Sequence, residues 1–306
     1  MNGQPQRDGV GQGGVSVVIP TYERVPYLRR CLQALARQTV APSEVLVVTR
    51  DTDTETQRFL QDSARTTSLP LRVLTVREPG GILPFAKGLS AVQSDYVGVT
   101  DDDAVPESHW LERIRNTFRC SPPPVGALTG PVLEENPARQ VIPPAVLTWY
   151  GRFASSLRQV QRYRQPRIVS TFQEGNVAFR REALTPDLCD LRLEGGRILN
   201  HGLDIALTLR AHGWFVLYHP HLAVLHTPVR GALGPPTPED TIGYVRTMMR
   251  IIKKHRGWRG VLPYAAYTVL AGQRDAPGIL RYLTRRDTRW DCVTATRREV
   301  SHHILL

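Results

Sequence analysis

The chain predicts an α/β fold: a mostly parallel central sheet flanked by helices, followed by a basic helical C-terminal extension. Three observations carry this reading. Strand-like and helix-like patterns alternate from Val15 to Thr100 at the spacing of right-handed βαβ crossovers. The strand-like runs, Val-Ser-Val-Val-Ile at 15–19 first among them, are near-continuous and β-branched, as strands covered on both faces are. Beyond Pro235-Pro236 the apolar residues fall at helical spacing.

Val15–Ile19 is the first strand, and Pro20-Thr21-Tyr22 ends it. Pro26 suits the first turn of a helix in which Leu28, Cys31, Leu32 and Leu35 share a face. Glu44–Val48 is a second strand, Thr54–Ala64 a polar helix and Leu71–Val76 a third strand. A helix over Pro84–Val92 leads into the fourth strand, Tyr96–Val99, and another over Ser108–Phe118 sets Trp110, Ile114 and Phe118 on one side. Residues 121–165 are rich in Pro and Arg, the composition of a lid or an acceptor-binding loop. Residues 168–182 predict strand, turn and strand, with Gly175-Asn176 as the turn. A helix over Gly202–His212 stops at Gly213, and Trp214–Tyr218 and Ala223–Leu225 are short strands. Further on, Ile242, Val245, Met249 and Ile252 form one stripe, with Arg246, Arg250, Lys253 and Lys254 largely off it. The boundaries that follow are a disordered tail over 1–14, an α/β domain over 15–230 and a basic helical extension over 231–306.

At 306 residues, 41% hydrophobic and 22% charged, the chain is sized for one large α/β domain with an appendage. Cys31, Cys120, Cys189 and Cys292 stand far apart with no zinc spacing, which predicts reduced thiols and a cytoplasmic protein. The polar, Gly-rich start lacks the apolar core of a signal peptide, and no apolar run reaches the ~18 residues that span a bilayer. Net charge is +11, and the residues after 240 hold thirteen Lys or Arg against four Asp or Glu. That asymmetry suits an anionic partner, either peripheral contact with an anionic membrane or a phosphate-bearing acceptor, or else a merely solubilising helical surface. Nucleic acid is disfavoured, because the basic residues lack interleaved aromatics and no DNA-reading motif is present.

The chemistry concentrates at Asp101, Asp102 and Asp103, which follow the fourth strand at the sheet edge where open α/β folds bind ligands. Three adjacent carboxylates repel one another. Hard cations such as Mn²⁺ or Mg²⁺ neutralise them and keep open positions for substrate phosphates. A solvated acidic turn is the alternative for an isolated triplet.

Four segments in order decide between these: Val-Ser-Val-Val-Ile-Pro-Thr-Tyr-Glu-Arg at 15–24, Thr-Asp-Asp-Asp-Ala-Val-Pro at 100–106, Gly-Asn-Val-Ala-Phe-Arg-Arg at 175–181, and Gly-Leu-Asp-Ile-Ala-Leu-Thr-Leu-Arg-Ala-His-Gly-Trp at 202–214. Together with Pro220 and His226 they resemble the family 2 glycosyltransferases, inverting enzymes of the GT-A fold that use nucleotide-diphosphate sugars. The resemblance implies a GT-A (Rossmann-like) sheet, a Mn²⁺ or Mg²⁺ cofactor, and a UDP- or dTDP-sugar donor. It places Asp101, Asp102 and Asp103 on the metal and the donor ribose, without saying which carboxylate touches which, and offers His226 to complete the metal shell. Pro20, Thr21 and Glu23 match the segment around the base and ribose, and Gly175 and Asn176 fall with the donor-binding residues. Asp204 matches the general base that deprotonates the acceptor hydroxyl.

Two departures stand out. Relatives end the second strand with Asp-Asp-Gly-Ser, whereas here it is Val48-Thr49-Arg50-Asp51-Thr52-Asp53, leaving Asp51 or Asp53 to read the base and Arg50 free to approach a phosphate. Leu203 replaces the acidic neighbour of Asp204, removing a like charge and adding apolar surface. Two other classes compete. A sugar nucleotidyltransferase needs a Gly-rich basic loop near the start, which Val15–Arg24 lacks. A non-catalytic nucleotide-sugar or lipid-surface binding module has no need of Asp204 or the triplet. The acceptor, a polysaccharide intermediate on a lipid carrier or a secondary-metabolite aglycone, is not readable from the variable second half.

Overall fold

The computed structural model describes residues 13–134, 146–154, 164–194, 200–227, 236–285 and 288–305. The tail over 1–12 and much of the Pro/Arg-rich segment, 135–145 and 155–163, lie outside them.

The first half alternates as its sequence predicts: β1 (Val15–Pro20), α1 (Val25–Ala36), β2 (Glu44–Arg50), α2 (Thr54–Thr66), β3 (Leu71–Val76), α3 (Ile82–Ala91) and β4 (Tyr96–Thr100). β4, β1, β2 and β3 pair in parallel in that order. Successive β1 residues point to opposite faces, so Val15, Val17 and Ile19 join one core with Leu28, Leu35, Trp110 and Phe118, while Val18 joins the other with Phe85, Leu89, Ile205 and Leu209. A strand buried on both faces needs an apolar residue at nearly every position, which explains the unbroken β-branched runs.

Beyond β4 the structure departs from a simple reading. Ala104–Pro106 is a short strand, β5, before α4 (Trp110–Cys120), and Val125–Thr129 and Val132–Glu134 form β6 and β7. Two-residue strands β8 (Val146–Leu147) and β9 (Phe153–Ala154) pair with each other. Residues 168–182 run strand, turn and strand, with Gly175 in the turn, but the two strands do not pair with each other. β10 (Arg167–Val169) lies at the sheet edge, and β11 (Asn176–Arg180) runs antiparallel between β4 and β6. Gly175 therefore precedes a strand that Asn176 opens. After α5 (His201–Ala211) come β12 (Phe215–Tyr218) and β13 (Val224–His226). The main sheet has eight strands in the order β10-β12-β6-β11-β4-β1-β2-β3, and a small sheet, β5-β13-β7, sits beside it. Asn176 joins the two: its side chain accepts from Trp110 Nε1 at 2.9 Å and donates to the carbonyls of Pro131 and Leu222 at 3.0 and 2.7 Å.

The C-terminal extension is helical: α6 (Pro238–Leu270), α7 (Ile279–Thr284) and α8 (Trp290–Leu305). Thr237 and Asp240 form a reciprocal capping box at the start of α6. Gly257, with φ 59 and ψ −159, kinks the helix. The apolar stripe is spent on packing: Val245, Met249 and Ile252 are buried with Tyr244 and Met248 against Ile82, Leu193 and Leu203 of the α/β domain.

Candidate active site

The C-terminal edge of β4 presents Asp101–Asp103, and strand pairing brings their partners. β13 runs antiparallel to β5 with His226 opposite Ala104, setting His226 Nε2 3.3 Å from Asp103 Oδ1. Ligand atoms of Asp101, Asp103 and His226 all lie within 4.8 Å of one another. Burial, with Asp103 and Asp102 adding repulsion, pushes the Asp101 carboxyl up to about 7. Two carboxylates and an imidazole in such a cluster fit a hard or borderline divalent ion.

Asp102 stands apart from that trio. It is buried, and its Oδ2 accepts from Thr21 Oγ1 at 2.7 Å while Arg24 reaches Oδ1 at 3.1 Å and Asp103 at 3.4 Å. Arg24, a residue the motif reading passes over, thus ties the end of β1 to the acidic loop. Gly175 is required by close approach, since a Cβ there would meet Asp101 Oδ2 at 2.3 Å. Asn176, by contrast, spends its side chain on the two-sheet joint described above.

Beside the acidic loop is a recess of about 230 Å³ at the ends of β1, β2 and β3, lined by Thr21, Tyr22, Thr49, Arg50, Pro79 and Gly80 among others. The Arg50 guanidinium lies over the Tyr22 ring, 4.6 Å from its centroid, and Arg50 Nε is buried with no hydrogen-bond partner among the described residues. Pro20 ends β1 at this rim, and Glu23 sits in left-handed backbone at φ 53, a strained conformation of the kind that marks functional turns. Asp53 does not face the recess as a free reader. Its buried carboxylate caps α2, accepting from Thr56 N at 3.1 Å, Glu23 N at 2.7 Å and Thr49 Oγ1 at 3.1 Å. Burial raises its pKa, but those hydrogen bonds outweigh it and hold the carboxyl below the usual range. Asp51 is exposed, 3.9 Å from Arg77.

Asp204, in the first turn of α5, is wholly buried. Lys254 Nζ lies 3.0 and 2.8 Å from its two oxygens, and His255 Nε2 lies 2.7 Å from Oδ1. These α6 partners stand 50 and 51 residues away, with no motif to announce them. Glu174 occupies the other side of the α5 start, accepting from Gly202 N at 3.0 Å.

A GT-A-type sheet thus carries, at one carboxyl edge, a recess beside an acidic cluster. A sequence model described as Glycosyltransferase like family 2 matches residues 12–253, and the chain belongs to that family. It is 26% identical over 102 residues to the uncharacterized glycosyltransferase EpsJ of Bacillus subtilis (strain 168), covering 33% of this chain and 29% of EpsJ. The match thus spans under a third of that relative. Among solved structures, S. aureus TarS 1-349 in complex with UDP-GlcNAc aligns with TM-score 0.61 and 15% identity over 95% of this chain and 92% of that one. The UDP complex of the same fragment gives TM-score 0.58 and 15% identity, covering 95% and 83%. At such identity these likenesses speak for the fold.

Proposed function

We propose that the protein is a metal-dependent inverting glycosyltransferase that moves a sugar from a UDP- or dTDP-sugar to an acceptor hydroxyl. The observation that carries the reading is the Asp101–Asp103–His226 cluster beside the Tyr22–Arg50 recess on one sheet edge. In this reading the nucleoside occupies the recess, with Pro20, Thr21 and Glu23 around it, and the diphosphate reaches the cluster. Asp102 positions Thr21 and Arg24. A divalent ion, Mn²⁺ or Mg²⁺, held by Asp101, Asp103 and His226 would neutralise charge on the departing diphosphate. The acceptor base is one of the two carboxylates at the α5 start, Glu174 or Asp204.

Calorimetry with UDP and dTDP, with Mn²⁺ and after chelation, tests the metal. Binding is expected only with metal, because three carboxylates alone repel a diphosphate; equal affinity in both conditions refutes the metal role. Transfer from UDP-GlcNAc, the ligand of the TarS neighbour, is a first activity probe, and a product with inverted anomeric configuration is expected.

A second part of the reading concerns the acceptor side, where peripheral contact with an anionic membrane suits a lipid-carried acceptor. No described helix is long and apolar enough to cross a membrane. The α6 stripe is consumed by packing, but Leu280, Leu283 and Trp290 are exposed on and after α7. They adjoin a recess of about 320 Å³ lined by Arg274, Arg281 and Arg289. Exposed apolar side chains among arginines suit an interfacial site. Co-sedimentation with phosphatidylserine vesicles is expected at low salt and should weaken as salt shortens the screening length to about 10 Å at 0.1 M. A protein that stays in the supernatant under both conditions has a soluble acceptor.

A further inference from the structure

We propose that Glu174, and not Asp204, is the base that takes the acceptor proton; this rests on the glycosyltransferase reading above. Both oxygens of Asp204 are engaged by Lys254 and His255, and its surface is fully covered. A general base must come within hydrogen-bond reach of the hydroxyl it deprotonates. Asp204 would have to break its contacts with Lys254 and His255 and leave the α5–α6 seam to do so.

Glu174 meets the geometric requirement. It precedes Gly175, the residue whose missing side chain lets Asp101 close up, and its charge is near enough to add to the repulsion on Asp101. Its side chain is 37% exposed. A Cβ on Gly202 would meet Glu174 Oε1 at 2.8 Å, so the carboxylate lies in the space a side chain at the helix start would fill. Among the described residues, His201 Nδ1, 3.8 Å from Oε1, and Asn200 Nδ2 are buried with no hydrogen-bond partner. Asn200 is 8% exposed and held in left-handed backbone at φ 51, strain that collects where a site over-determines the chain. A carboxylate beside a buried, unsatisfied ring nitrogen is a place built for a polar ligand.

In the reaction, Glu174 takes the proton of the acceptor hydroxyl as that oxygen bonds to the anomeric carbon. The bond from that carbon to the diphosphate oxygen breaks, and its electron pair leaves with the nucleoside diphosphate. A purely structural Glu174, capping α5 through Gly202 N, is the competing role, and Glu174→Gln separates the two because the amide carbonyl can still accept from Gly202.

The experiment follows nucleotide release from UDP- and dTDP-hexoses, with water and with sugar hydroxyls as acceptors, together with UDP–Mn²⁺ affinity. Glu174→Gln is expected to bind UDP–Mn²⁺ as wild type does and to release nucleotide roughly 10² to 10⁴ times more slowly. Asp204→Asn, assayed well below its own melting temperature, is expected to lose far less turnover than Glu174→Gln. Wild-type turnover in Glu174→Gln, or a loss in Asp204→Asn as large as that of Glu174→Gln, overturns the assignment. A wild-type protein that binds neither UDP nor dTDP with Mn²⁺ overturns instead the glycosyltransferase reading beneath it.

Discussion

Asp103→Ala is expected to abolish metal-dependent nucleotide binding while leaving the fold intact. Asp103 is the hub of the cluster: Oδ1 faces His226 at 3.3 Å, and Oδ2 meets Arg24 at 3.4 Å. Its backbone carbonyl, which receives Thr227 N at 2.9 Å, survives the substitution, so β5 and β13 stay registered. Loss of a supporting contact around a bound ion costs about 10- to 100-fold in metal affinity, and loss of a ligand costs at least the upper end of that range. Calorimetry with UDP distinguishes the alternatives by sign. If the cluster holds a metal, UDP affinity in Mn²⁺ collapses; if it holds none, deleting a negative charge beside a diphosphate raises affinity, and the metal assignment fails.

Asp204→Asn is expected to lower stability more than any other single change in the site. The carboxylate is buried at the seam between α5 and α6, where it compensates Lys254, whose side chain is 28% exposed, and lies against His255, which is 11% exposed. Breaking a buried pair by removing one partner leaves a charge uncompensated, at a cost of roughly 3 kcal/mol or more. In a domain of this size that lowers the melting temperature by on the order of 5–10 °C. Adding Lys254→Met to Asp204→Asn should recover part of the loss, because the orphaned cation is then gone. Thermal melting of the single and double variants measures both effects, and a single variant that melts with wild type removes the anchoring role.

Much of the site could be read before the fold was known. Tyr96–Thr100 followed by three aspartates places a carboxylate cluster at a sheet edge from strand composition alone, and His226 was in view through the family resemblance. Asp51 and Asp53 looked equally able to read a base. The backbone turned Asp53 into a helix cap and left Asp51 outside, a difference that depends on where α2 begins. Asn176 was marked by its neighbour Gly175, yet its side chain is a strut between two sheets. The strands on either side of Gly175 do not pair with each other, because β11 pairs with β4 and β6, partners distant in sequence that local turn chemistry cannot see.

Hydrophobic periodicity and β-branched runs, which depend on neighbours three or four residues away, were sufficient by themselves for the alternating sheet, for the amphipathic α6 and for the aspartates at the end of β4. What α6 does with its stripe and its cations was decided only in three dimensions. The stripe packs on Ile82, Leu193 and Leu203, and Lys254 and His255 meet a buried Asp204 across the same seam. Which carboxylate is left open at the α5 start was settled there too, since burial and ion pairing are properties of the packed chain and have no period along it.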